Sequence, residues 1–147
     1  MDIVIIGDGK VGHKLAMQLS GENYNVTLID QCEKKLADTV NEMDVSCVAG
    51  DGGSAEVQKR ADVPGADLVI ACTSTDEMNL FCCLLARRLG AKQTIARVRN
   101  PVYADQMHLL KEDLKLSMAV NPELALAGEI SRVLIFPSAA KIETFVK

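Results

Sequence analysis

Short apolar runs alternate with longer amphipathic stretches along this chain. The runs Ile3–Ile6, Val26–Ile29, Val45–Ala49, Leu68–Ala71 and Thr94–Val98 are rich in β-branched side chains, and a weaker run lies at Leu116–Ala119. They read as strands buried on both faces, because a half-exposed strand would alternate polar and apolar positions. Between them, apolar residues recur at helical spacing over about 10–20, 33–42, 54–62, 75–88, 101–111 and 122–135. Strands alternating with helices predict an α/β fold: a Rossmann-like, doubly wound parallel sheet of about six strands with helices on both faces, joined by right-handed crossovers.

Local punctuation supports these helices independently. Ser74 and Glu77 match a capping box, in which the serine oxygen and the glutamate carboxylate each take a free backbone donor at a helix start. Asn100-Pro101 and Asn121-Pro122 each put an N-cap residue before a proline at the first helical position. Gly90 follows the 75–88 helix as a left-handed C-terminal cap would. Val11, Leu15 and Leu19 share one face of the first helix, which predicts packing on the sheet. The run Leu80 to Ala86 is apolar nearly all round, which predicts a helix covered on more than one side and a subunit contact there. The tail PSAAKIETFVK, from Pro137, breaks the pattern. The expected organisation is one domain over 1–135, with 136–147 a linker or the start of a further domain.

Composition narrows the function classes. Of 147 residues, 48% are hydrophobic, but no apolar run approaches the length of about 20 that a membrane-spanning helix needs. Twenty acidic against sixteen basic residues leave a net charge of -4, without the basic block that tracks a phosphate backbone. Nucleic-acid binding and direct membrane insertion are therefore not expected. The N-terminus enters a strand pattern directly, without signal-peptide regions, which predicts a cytoplasmic location. Cys32, Cys47, Cys72, Cys82 and Cys83 form no CxxC pair and read as buried thiols, the adjacent Cys82 and Cys83 being the pair of most chemical interest.

The chemistry concentrates after the first strand, in GDGKVG. Gly7 permits a tight turn, Gly9 a close backbone approach to a pyrophosphate, and Gly12 close packing of helix on sheet; the helix near Lys10 aims free N–H groups at the phosphates. Asp30 ends the second strand eighteen residues after Gly12, at the spacing of a carboxylate that accepts from ribose hydroxyls. That carboxylate favours NAD(H) or an adenosine nucleotide, while Lys34 and Lys35 leave NADP open. Other strand ends point into the same crevice. Ala49-Gly50-Asp51-Gly52-Gly53 would let an adenine lie near the backbone, or is a plain turn before Ser54. Thr73 and Ser74 offer hydroxyls to a ribose or nicotinamide, and Arg97 and Arg99 either pair with buried acids or reach phosphate. Catalytic groups are missing: His13 and His108 have no evident partner and read as packing or solvated residues, and Tyr103 is followed four positions on by Met107 instead of a lysine.

Together, GDGKVG at 7–12, Asp30, AGDGG at 49–53, TSTDEMN at 73–79, IARVRNP at 95–101 and NPE at 121–123 resemble the N-terminal dinucleotide-binding (RCK or KTN) domain of Trk-type potassium-uptake regulators over nearly all of 1–135. The resemblance implies a non-catalytic module, peripheral on the inner face of the membrane, that assembles as a dimer or ring on a potassium transporter or channel. It would bias the gate according to the bound nucleotide, NAD(H) or, as in many relatives, ATP or ADP. Carried over by position, Gly7, Asp8, Gly9, Lys10, Val11 and Gly12 would line the pyrophosphate, and Asp30 would meet the adenosine ribose. Gly50 and Asp51 would face the adenine, Thr73 and Ser74 the far ribose, and Arg97 the phosphates, with Arg99 beside it. Lys10 keeps the charge of an arginine found in some relatives but not its planar fork. Two other readings fit the same residues: an NAD-dependent oxidoreductase fragment lacking its substrate domain, and a free-standing nucleotide-sensing adaptor.

Overall fold

The computed structural model describes residues 1–114 and 118–120. The elements run β1 (Asp2–Ile6), α1 (Lys10–Gly21), β2 (Asn25–Asp30), α2 (Glu33–Glu42), β3 (Ser46–Ala49), α3 (Ala55–Arg60), β4 (Leu68–Ala71), α4 (Asp76–Leu89), β5 (Thr94–Arg97), α5 (Pro101–Leu114) and β6 (Met118–Val120). The strands form one sheet in the order β3-β2-β1-β4-β5-β6, and every neighbouring pair is parallel. The order reverses between β1 and β4, which makes that junction the topological switch point.

The sheet is covered on both faces, as continuous apolar strands require. Alternate residues of β1 serve opposite sides. Ile3 and Ile5 pack with Leu15 and Leu19 of α1 and Leu36 of α2. Val4 and Ile6 pack with Val57 of α3 and Cys82, Cys83 and Ala86 of α4. Tyr103 and Met107 place α5 on the second side. All four residues of β4 are buried, whereas edge strand β3 has none fully buried.

Helix ends follow the expected chemistry with two changes. Ser54 accepts from the Val57 N–H (3.3 Å) to start α3, Asn100 accepts from the Val102 N–H (2.9 Å) ahead of Pro101, and Gly90 closes α4 at φ 124°. The first change is at α4, where the cap is Thr75, which accepts from the Met78 N–H at 3.2 Å; Ser74 stays exposed, one residue outside the helix. Either hydroxyl satisfies a free donor equally well, and the choice falls to the residue that lets Asp76 and Asn79 turn inward. The second is at α3, which stops at Arg60 instead of 62: Asp62 takes a left-handed conformation (φ 61°) and a 3-10 turn follows at Val63–Gly65 around Pro64. Cys72, Cys82 and Cys83 are buried, Cys47 is half-buried, and Cys32, against expectation, is exposed at the start of α2. On α4, Met78, Phe81 and Leu84 remain exposed. The helix expected at 122–135, its Asn121-Pro122 start and the segment 136–147 lie outside the described residues.

Candidate nucleotide site

The register of the sheet assembles the candidate residues. Ile6 pairs with Ile29 and Ala71, Asp30 with Ala49, and Ala71 with Ala96. One step further along the strands, Ala49, Asp30, Gly7, Cys72 and Arg97 therefore form a row across the carboxyl edge, centred on the switch point where open α/β sheets bind ligands.

At the middle of the row the three loop glycines have different physical reasons. Gly7 has φ 110°, and a Cβ there would lie 2.7 Å from the Cys72 carbonyl oxygen. A Cβ on Gly12 would lie 1.8 Å from the Gly7 carbonyl oxygen, so only glycine lets α1 sit this close to the loop. A Cβ on Gly9 would meet nothing within 4 Å, so nothing among the described residues requires glycine at that point. Gly9 caps α1 without a side-chain bond, and the amides of Lys10, Val11 and Gly12 lack intrahelical acceptors by helix geometry. Lys10 is exposed beside them, while Val11 packs against the core.

Asp30 ties two loops together. One carboxylate oxygen accepts from the Asp8 N–H and the other from the Cys32 N–H, both at 2.8 Å. Each oxygen keeps capacity for a further donor such as a ribose hydroxyl. Asp8 reaches the loop only through its backbone: its side chain is 1% exposed and faces His13 and the Thr39 hydroxyl, which donates to it at 2.6 Å. At the end of β3, the Gly50 N–H donates to the Asp30 carbonyl (3.0 Å), and the Asp51 carboxylate accepts from the Gly53 N–H (2.8 Å). The Asp51 side chain thus closes the turn before α3, which is the plain-turn chemistry, while its residue stays exposed at the crevice edge.

On the other side of the switch point, two residues that the sequence did not single out do the positioning. Asn79 is fully buried. Its amide oxygen accepts from both the Thr73 N–H and the Thr73 hydroxyl at 2.6 Å, and its amide nitrogen donates to the Arg97 carbonyl at 3.0 Å. Asp76 accepts from the N–H groups of Arg99 (3.0 Å) and Asn100 (2.7 Å). Together they fasten the start of α4 to the ends of β4 and β5. The TSTDEMN motif contains both, together with Thr73, but their remaining partners lie at the end of β5.

Arg97 is half-buried and donates to the Thr73 carbonyl at 3.3 Å; its buried Nε has no hydrogen-bond partner. Among the described residues the ion pairs are His13–Asp8, His13–Glu42 and Lys92–Asp67, so neither Arg97 nor Arg99 pairs with an acid there. Arg99 is exposed and, with Ser74, Glu77 and Tyr103, lines a cavity of about 430 Å³ at the ends of β4 and β5. Burial pushes the Cys72 thiol up to about 12 and the Cys82 thiol to about 12, so neither is a nucleophile at neutral pH.

His13 has partners after all. Its Nδ1 lies 3.0 Å from Asp8 and its Nε2 2.9 Å from Glu42, a bridge between α1 and α2 across 29 positions. The hydrogen bond to Asp8 raises its pKa above the ordinary 6.5, partial burial opposes this, and Glu42 adds to the rise. Exposed His108 meets the Asp105 carbonyl through Nδ1 (2.8 Å). Among the described residues, no group of three or more His, Cys, Asp or Glu is placed to hold a metal ion, and no helix is long and apolar enough to cross a membrane.

Residues 3–122 match the TrkA-N domain family. The chain is similar to a Trk system potassium uptake protein TrkA homolog of Archaeoglobus fulgidus, 37% identical over 145 residues, covering 99% of this chain and 33% of that protein. It spans about a third of the length of the first such curated relatives. Among solved structures, the TrkA-N domain of the inner membrane protein ybaL from Escherichia coli superposes with a TM-score of 0.72 at 19% identity, covering 94% of this chain and 96% of that one. The GsuK channel bound to NAD superposes with a TM-score of 0.68 at 22% identity, covering 81% of this chain and 21% of that one; the same protein has been solved bound to ADP. At these identities the superpositions establish the shared fold, and the sequence match establishes the kinship. The chain belongs to the TrkA-N domain family.

Proposed function

We propose that this domain binds an adenine nucleotide, NAD(H) or ADP/ATP, across the switch point, and acts as a non-catalytic regulatory module of a membrane potassium-uptake system. The observation that carries the reading is Arg97: a half-buried guanidinium with no acid partner among the described residues and an unpartnered Nε, in the same row as Gly7. A buried cation without a counter-ion is costly, and a phosphate group in the crevice would supply one. The donor set suits such a ligand. Gly9, Lys10, Val11 and Gly12 would hold the pyrophosphate on backbone amides and the helix dipole, while Gly7 and Asp8, whose N–H groups are bonded to the Ile29 carbonyl and the Asp30 carboxylate, would shape the turn beneath it. Asp30 would accept from the adenosine ribose, Gly50 and Asp51 would border the adenine, Thr73 and Ser74 the second ribose, and Arg97 and Arg99 the phosphates.

The relatives named as Trk potassium uptake proteins support a potassium transporter or channel as partner, on its cytoplasmic side. The exposed Met78, Phe81 and Leu84 of α4 support association with a second copy. A nucleotide would bias the partner through its differential affinity for two arrangements of neighbouring domains. The engagement of both His13 ring nitrogens favours a sensor over an oxidoreductase.

Titration calorimetry with NAD, NADH, ADP and ATP tests the site: saturable heat and mutual competition are expected, and no heat or competition at millimolar ligand contradicts it. Nucleotide-dependent potassium flux through the co-purified transporter in proteoliposomes tests the regulatory role; flux indifferent to every nucleotide contradicts that part.

A further inference from the structure

The glycine loop has a second side. Behind it, α1 and α2 enclose a cleft of about 640 Å³, with His13 between the buried carboxylate of Asp8 and the exposed carboxylate of Glu42. Neutral imidazole donates through one nitrogen and presents a lone pair at the other, so it satisfies only one of these carboxylates; imidazolium satisfies both. Asp8 is also the residue immediately before Gly9, and its N–H is held by Asp30. This one carboxylate is therefore buried directly behind the backbone turn that a phosphate chain would approach.

We propose that His13 is a proton-linked positioning residue: protonated, it neutralises Asp8 and clamps α1 to α2 behind the loop, and its deprotonation weakens nucleotide binding. The inference rests on the nucleotide reading above. Losing the proton removes the positive charge beside the Asp8 carboxylate, behind the turn an anionic ligand would approach, and one of the two bonds by which His13 holds the loop through Asp8 and α2 through Glu42. Nucleotide affinity therefore falls as pH rises through the His13 pKa, which already lies above 6.5 in the free protein. A bound anion raises it further, so binding takes up protons in that window.

Other charged and polar groups face this cleft from both helices and the sheet. Lys10 and Lys14 of α1 and Lys35 and Asp38 of α2 line the same cleft, Thr39 contributes a hydroxyl at 3.3 Å, and Asp30 faces the loop from β2. Cys47 of β3 feels the Asp8 charge, and burial pushes its thiol up, away from titration there.

The test is calorimetry with NAD, whose pyrophosphate does not titrate, from about pH 5.5 to about pH 8, in buffers of differing ionisation enthalpy. Wild type is expected to lose affinity by about three- to tenfold across the range, the size of a partly screened charge interaction, and to take up protons on binding. His13→Gln is expected to bind with a flat pH profile. Glu42→Gln, at an exposed position, is expected to move the inflection to lower pH while keeping it. A wild-type profile that is flat, or a His13→Gln profile with the wild-type slope, overturns this inference while leaving the nucleotide site standing. Absence of NAD binding by wild type at every pH overturns both.

Discussion

Gly9 and Gly12 stand three residues apart in one loop, yet methyl groups at these positions are expected to do opposite things. At Gly12 the added carbon would sit 1.8 Å from the Gly7 carbonyl oxygen and 3.1 Å from the Cys72 sulfur. The first obstacle is backbone, itself fixed by the Gly7 N–H bond to the Ile29 carbonyl (2.7 Å), so α1 must lift from the sheet. Gly12→Ala is expected to cost about 3 kcal/mol, the upper part of the overpacking range. At Gly9 there is nothing within 4 Å and φ is −87°, a conformation alanine adopts freely. Alanine is a poorer N-cap than glycine but loses less chain entropy on folding; these opposed effects are each below about 1 kcal/mol, and Gly9→Ala should leave stability nearly unchanged. The methyl would instead occupy the space a phosphate needs and weaken NAD or ADP binding by about tenfold or more, about 1.4 kcal/mol. Urea unfolding with a fixed m-value and calorimetric titration separate the two quantities. If Gly9→Ala destabilises as much as Gly12→Ala, the steric reasoning is wrong; if it is stable and binds with wild-type affinity, the ligand path over Gly9 is wrong.

Three further expectations follow from the same geometry. Asn79→Leu removes one acceptor and one donor, leaving the Thr73 N–H and the Arg97 carbonyl unsatisfied; a loss of about 2–4 kcal/mol in urea unfolding is expected, and a loss below about 0.5 kcal/mol would refute the clamp. Arg97→Lys keeps the charge but not the planar donor fork, so nucleotide affinity should fall by about tenfold with little change in melting temperature. Because the folded pKa of His13 is raised above 6.5, its stabilising contribution is fully present below that value and is lost as pH rises through the folded pKa. The urea midpoint should fall over that window in wild type and not in His13→Gln.

Local patterns were legible in the chain, and distant pairings were not. The strand runs, the glycine loop and Asp30 are written in contiguous residues whose spacing is set by strand and helix geometry, and the sheet places them together as expected. The cap of α4 was misplaced by one residue because Ser74 and Thr75 offer the same hydroxyl chemistry. Asp76 and Asn79 do not stand out in the sequence, since the partners that fasten them to the end of β5 lie 18 to 24 positions away. The His13–Glu42 bridge depends on how α1 and α2 lie against each other, which periodicity does not specify.

The central claim is that an adenine nucleotide lies across the carboxyl edge at the β1–β4 switch point. The most direct measurement is the change in backbone amide chemical shifts of this 15.9 kDa chain as NAD or ADP is added. The account predicts saturable shifts centred on Gly7, Gly9, Lys10, Val11, Gly12, Asp30, Thr73 and Arg97, with the opposite edge, around Asp2, Asn25 and Asp67, undisturbed. Shifts centred on that opposite edge, or none at saturating nucleotide, would contradict it.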